Sequence, residues 1–280
     1  MSCAELSLAH GVPLAGTTSQ ADRWLLLEHR SPWGRDATEE SGLPPALVER
    51  LRHCDRRILL LRRPGRPQGP PVAFSARTTE LGGELLRLRP DRLEDVVDLD
   101  LERDGEPLEG PLVLVCTHAR RDVCCATHGV PAYNALRRHV ADGLLWRSSH
   151  QGGHRFAANV LALPAGIQLG RVEPAAAAEV ADALAEGRIP LRFYRGRTLH
   201  PREVQAADAA VRAELGLERV DDVRLLLHDG PRVVLDTARG RVEVSVVDRD
   251  GPLLPPSCGK QVEPTPVLEA TVRGIERARA

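Results

Sequence analysis

The chain has 280 residues, and its 38 Lys and Arg nearly cancel its 39 Asp and Glu, for a formal net charge of −1. With 42% hydrophobic and 28% charged residues, it is composed as a folded globular protein, not a disordered one. The charge balance offers no global basic field for nucleic acid, and no apolar run approaches the roughly 18 to 20 residues of a membrane helix. Residues 1–16 lack the basic start and apolar core of an export signal, so a cytoplasmic location is expected. Lys260 is the only lysine, and the arginine excess reads as a compositional bias.

In chain order, residues 24–30 (WLLLEHR) read as a buried strand, and 45–54 (PALVERLRHC) as a helix with Leu47, Val48 and Leu51 on one face. Strand patterns follow at 57–62, 71–76 and 84–88, then a helix at 91–98 capped by Asp91. The order then recurs. A strand at 112–116 (LVLVC) leads through a loop to a helix at 131–141 opened by Pro131. Strands are predicted at 143–148, 158–163 and 167–172, the last two joined as a hairpin through Pro164, Ala165 and Gly166. A helix at 174–186 stops at Gly187.

Both runs are β-α-β-β-β-α, the order of a thioredoxin-like unit. The fold class expected is therefore α/β, with tandem thioredoxin-like units over 1–106 and 107–197. A small α+β extension is expected over 198–280, with a helix at 201–215, strands at 222–227, 232–236 and 241–247, and a Pro-rich tail at 252–266.

Six cysteines are too few for a disulfide scaffold, so clustered ones suggest metal or redox work. Cys116, Cys124 and Cys125 fall within ten residues, in CTHARRDVCC at 116–125. Cys3, Cys54 and Cys258 read as isolated thiols. A second chemical stretch, Ser149-His150-Gln151-Gly152-Gly153-His154-Arg155, joins two predicted strands. A helical zinc-protease motif would need a Glu where Gln151 stands, and the two glycines favour a loop.

In a β-α-β unit, the loops after the first and second strands open at the same end. Two thiolates and two imidazoles could converge there, a donor set that suits zinc or an iron–sulfur cluster. The Cys116-x8-Cys125 spacing is too wide for a zinc knuckle. His118 and His128, near Cys116 and Cys125, imitate the ligand boxes of a Rieske centre, but with too short a spacer.

CTHARRDVCC, SHQGGHRFAANVLALPAGIQLGRV at 149–172 and WLLLEHRSPWGRDA at 24–37 resemble the sucrase/ferredoxin-like family. The resemblance covers about residues 15–195. It implies a thioredoxin-like ferredoxin carrying a 2Fe-2S cluster, with Cys116 and Cys125 on one iron and His150 and His154 on the other. Cys124 is then a buried thiol outside the ligand set. Glu28 and His29 occupy the places that Cys116 and Thr117 hold in the second unit, so the first unit is expected to lack a cluster.

Such a protein would be a one-electron carrier, not an enzyme with its own substrate. Its expected partners are a reductase and an acceptor protein, with neither nucleic acid nor membrane involved. Two neutral imidazoles in place of two thiolates remove two negative charges from the oxidised centre, so the potential should rise. Rieske centres make the same exchange and lie at roughly −150 to +300 mV, against about −400 mV for plant-type ferredoxins. The second nitrogen of a ligating imidazole can couple electron to proton uptake. The alternatives are a zinc-stabilised binding module and a thioredoxin-like thiol oxidoreductase.

Overall fold

A computed structural model describes residues 1–64 and 69–276. Helix α1 (Cys3–Ala9) comes first, outside any periodicity noted in the sequence. Then follow β1 (Arg23–Glu28), α2 (Pro45–Arg52), β2 (Arg57–Arg62), β3 (Ala73–Thr79), β4 (Gly82–Leu88) and a 3-10 turn at Leu93–Asp98. After the short β5 (Glu106–Pro107) come β6 (Leu112–Cys116), α3 (Val123–Leu136), β7 (Leu145–Ser148), β8 (Val160–Leu163), β9 (Ile167–Leu169) and α4 (Ala177–Ala185). The chain closes with β10 (Tyr194–Arg197), α5 (Arg202–Leu215), β11 (Val223–Asp229), β12 (Arg232–Thr237), β13 (Gly240–Leu254) and β14 (Glu263–Glu276).

The fold is α/β. Its main sheet has ten strands in the order β10-β9-β8-β6-β7-β2-β1-β3-β4-β5. β1 pairs parallel with β2 and antiparallel with β3, and β6 pairs in the same way with β7 and β8. Each run therefore has one strand order, and the two meet where β2 and β7 pair antiparallel, Leu61 opposite Ser148.

The strands are apolar on both faces because both faces are covered. Leu25 and Leu27 pack with Leu47 and Leu51 of α2, and Val113 and Val115 pack with Leu136 of α3 and Val180 of α4. On the opposite face lies one shared core, in which Trp24, Leu26 and Phe74 join Leu112, Leu114 and Trp146. The rings of Phe74 and Trp146 are 5.5 Å apart, although their strands are three places apart in the sheet. Three places in a flat sheet span about 14 Å, so the sheet curls around this core. Arg197, at the far edge, donates to the carbonyls of Thr79 and Glu80 in the β3–β4 turn and closes the curl.

The second helix starts earlier than its proline suggests. Asp122 accepts the N–H of Cys124 and caps α3 at Val123, which leaves Pro131 inside the helix. The helix expected at 91–98 is a 3-10 turn. The Pro-rich 252–266 region is largely a hairpin: β13 runs to Leu254, β14 begins at Glu263, and residues 255–262 form the tip. α5 covers the resulting four-stranded antiparallel sheet through Val204, Ala207 and Val211.

Helix α3 touches the end of β6 at Gly129, where an added Cβ would stand 2.0 Å from the Cys116 carbonyl oxygen. Gly129→Ala should therefore force the helix off the strand. Urea denaturation should show a loss of about 1 to 3 kcal/mol, and unchanged stability would mean that α3 does not need this close approach.

Candidate functional site

Cys116 ends β6, and Ser148 ends the parallel β7 beside it. The loops that follow leave the same end of the sheet. One enters α3 with Cys125 in its first turn, and the other carries His150 and His154. The Sγ atoms of Cys116 and Cys125 and an imidazole nitrogen of His150 all lie within 4.8 Å of one another. His150 Nδ1 is 3.6 Å from Cys125 Sγ and 4.0 Å from Cys116 Sγ. The hydrogen bond from Cys125, with the His150 contact, holds the Cys116 thiol well below its ordinary pKa despite burial, while Cys125 is pushed up.

The ring of His154 lies 5.5 Å from that of His150. Its Nε2 donates to the carbonyl of Pro256 at 2.7 Å and is 3.6 Å from Asp122 Oδ2. Its Nδ1 is buried without a hydrogen-bond partner among the described residues. A buried acceptor left empty costs about 1 to 3 kcal/mol, so this nitrogen is chemically unfinished. His118 is placed differently. Its Nε2 is 2.6 Å from the Gly34 carbonyl and its ring packs edge-on against Trp33; its Nδ1 and His128 Nε2 are also buried without a partner among the described residues, and His118, His128 and His154 all lie outside the close group of Cys116, Cys125 and His150.

The loop carrying the imidazoles is held by buried polar groups. Gln151 Nε2 donates to the Leu114 carbonyl at 2.9 Å and to Ser148 Oγ at 2.8 Å, and its Oε1 accepts from Gln168. Asn159 Nδ2 donates to the Gly153 carbonyl. Arg195 Nη1 reaches the Gly152 carbonyl at 3.2 Å and Asn159 Oδ1 at 2.8 Å, and Arg57 Nη2 reaches the Gln151 carbonyl at 2.6 Å. Burial pulls the Arg195 guanidinium down to about 9, with repulsion from Arg57 adding to it. Gly153 has φ 69°, and a Cβ there would stand 2.2 Å from Arg195 Nη2.

The local sequence does not mark Gln151, Arg57 or Arg195 as loop anchors; Asn159 sits inside an apolar run where an amide needs a reason. Arg195 and Pro256 carry no local signal. Arg120 and Arg121 are exposed near the site, whereas Arg155 is half-buried and donates to Thr265 Oγ1. Glu28 ends β1 in the first run and His29 follows it; Glu28 accepts the N–H of Val72, and His29 Nε2 is 2.7 Å from the Ser41 carbonyl.

Residues 14–196 match the family model described as sucrase/ferredoxin-like. Altered inheritance of mitochondria protein 32 of Eremothecium gossypii is 30% identical over 106 residues, 33% of this chain and 34% of its own. The protein of the same name from Clavispora lusitaniae is 32% identical over 101 residues, 33% of this chain and 37% of its own. The chain thus spans about a third of the length of these curated relatives. Among solved structures, a thioredoxin-like 2Fe-2S ferredoxin from Aquifex aeolicus is similar over 34% of this chain and 97% of its own, at 18% identity and a TM-score of 0.29. No helix among the described residues is long and apolar enough to cross a membrane. The family match takes in well over half of the sequence, and the chain belongs to the sucrase/ferredoxin-like family.

Proposed function

We propose that the protein is a one-electron carrier whose centre is a 2Fe-2S cluster bound by two cysteines and two histidines. Cys116 and Cys125 would hold one iron, and His150 and His154 the other. The observation that carries this reading is the convergence of two buried thiols on His150, with the unpartnered Nδ1 of His154 beside it. The donor set, two soft sulfurs and two imidazoles, fits such a group. When bound, a 2Fe-2S cluster supplies reversible one-electron chemistry.

The remaining work falls to the chain. Donation from His154 Nε2 to Pro256 fixes its tautomer and leaves Nδ1 as the free donor atom. Gln151, Asn159 and Arg195 keep the loop from relaxing. Arg57 and Arg195 place positive charge beside Cys116, which favours its thiolate and an added electron. Among the described residues, His150 Nε2 makes no hydrogen bond, and the side chain is half-buried. With a cluster bound, that nitrogen would be the one left open to solvent, whereas His154 Nε2 donates to the Pro256 carbonyl beside the Asp122 carboxylate.

Protein purified without oxygen should be red-brown, carry two irons per chain and give an EPR signal after reduction. His150→Ala and His154→Ala should each remove the native absorption spectrum, while His118→Ala and His128→Ala should leave it. A colourless protein, or loss of colour only in the latter pair, would overturn the assignment. The reduction potential should fall as pH rises, because the reduced centre holds the His150 Nε2 proton more tightly. The slope should approach about 59 mV per pH unit where one proton follows one electron. A potential flat between about pH 6 and 10 would remove the proton-coupled part.

A further inference from the structure

Three cysteines that the sequence keeps far apart meet behind the site. Cys3 opens α1, Cys124 lies in the first turn of α3, and Cys258 sits in the tip between β13 and β14. Their Sγ atoms form a triangle with all three sides 3.5 Å. The Asp122 carboxylate lies with them, all four ligand atoms falling within 4.8 Å of one another. Cys3, Asp122 and Cys124 are buried and Cys258 is half-buried, and all three thiols are free. The group shares no residue with Cys116, Cys125 and His150.

The geometry points to one metal ion. A disulfide would join two of three equivalent sulfurs and strand the third. A tetrahedral zinc with Zn–S bonds of about 2.3 Å holds its sulfurs about 3.8 Å apart, close to the observed triangle. Three thiolates select a thiophilic ion, and zinc is the common choice where the site is closed and buried. The Cys3 N–H also points at Cys258 Sγ, at 3.4 Å.

We propose that Cys3, Cys124 and Cys258 bind a zinc ion, with the Asp122 carboxylate as the fourth ligand. Asp122 is already fixed for that role by N–H groups of Cys124 and Cys258 and by the hydroxyl of Ser257. The ion ties the N-terminal helix, α3 and the hairpin tip into one unit. The same tip presents the Pro256 carbonyl to His154, and Asp122 lies 3.6 Å from His154 Nε2. The zinc thereby braces the second imidazole without entering its chemistry.

The test counts metals by mass spectrometry in full-length protein from zinc-supplemented cells. The unaltered protein should hold about one zinc per chain. Cys3→Ser and Cys258→Ser should each lower zinc retention roughly tenfold or more, and Cys54→Ser should not. Because iron and the visible spectrum are read on the same samples, failure of the electron-transfer reading and failure of the zinc site remain distinguishable. Should both serine variants fail to fold, a tight zinc chelator is applied to the unaltered protein. Release of zinc with a fall in Tm supports the site. A zinc-free protein, zinc retained by either serine variant, or a disulfide among the three cysteines would overturn it.

Discussion

The site depends on burying a loop. Residues 149–159 leave the end of β7 and carry His150 to the thiols of Cys116 and Cys125, with His154 beside it. Every backbone polar group buried on the way needs a partner. Arg195 and Asn159 supply such partners from inside the molecule and Arg57 from its edge, while Gln151 ties the loop to the Leu114 carbonyl of β6. A buried guanidinium is costly in apolar surroundings. Here it donates to the Gly152 carbonyl and Asn159 Oδ1 of the loop it holds and to the carbonyl and hydroxyl of Thr17, so loop geometry and local positive charge come from one residue.

The curled sheet makes this possible. β6 and β7 end together because they are parallel, and β2 closes the same edge through its antiparallel pairing with β7. Ser149 hydrogen-bonds both ways with Leu60, so the imidazole loop starts from the seam between the two runs. The first run thus contributes to the site without offering a ligand from Glu28 or His29. The C-terminal hairpin contributes from the other side, where its tip orients His154 through Pro256.

Much of this was legible in the sequence. The β-α-β-β-β order could be read from apolar strands and their spacing, and the 164–166 link between β8 and β9 lies where Pro and Gly placed it. The two chemical stretches were visible because thiols and imidazoles are rare and local in the chain. What could not be read was chiefly long-range. Pro131 looked like a helix start because local chemistry permits it there, and the cap by Asp122 outweighed it. Cys3 and Cys258 looked isolated because 255 residues separate sulfurs that the fold brings to 3.5 Å. The arginine excess looked compositional, yet Arg195, Arg197 and Arg212 are fully buried and hydrogen-bonded, which no local pattern announces.

The central claim is that His150 and His154, held by this buried loop, complete a centre begun by Cys116 and Cys125. Pulsed EPR on the reduced protein labelled with 15N-histidine tests it most directly. The account predicts hyperfine coupling from two histidine nitrogens that changes isotope with the label. Absence of nitrogen coupling, or coupling unchanged in a His150→Ala variant that still gives the EPR signal, would contradict it.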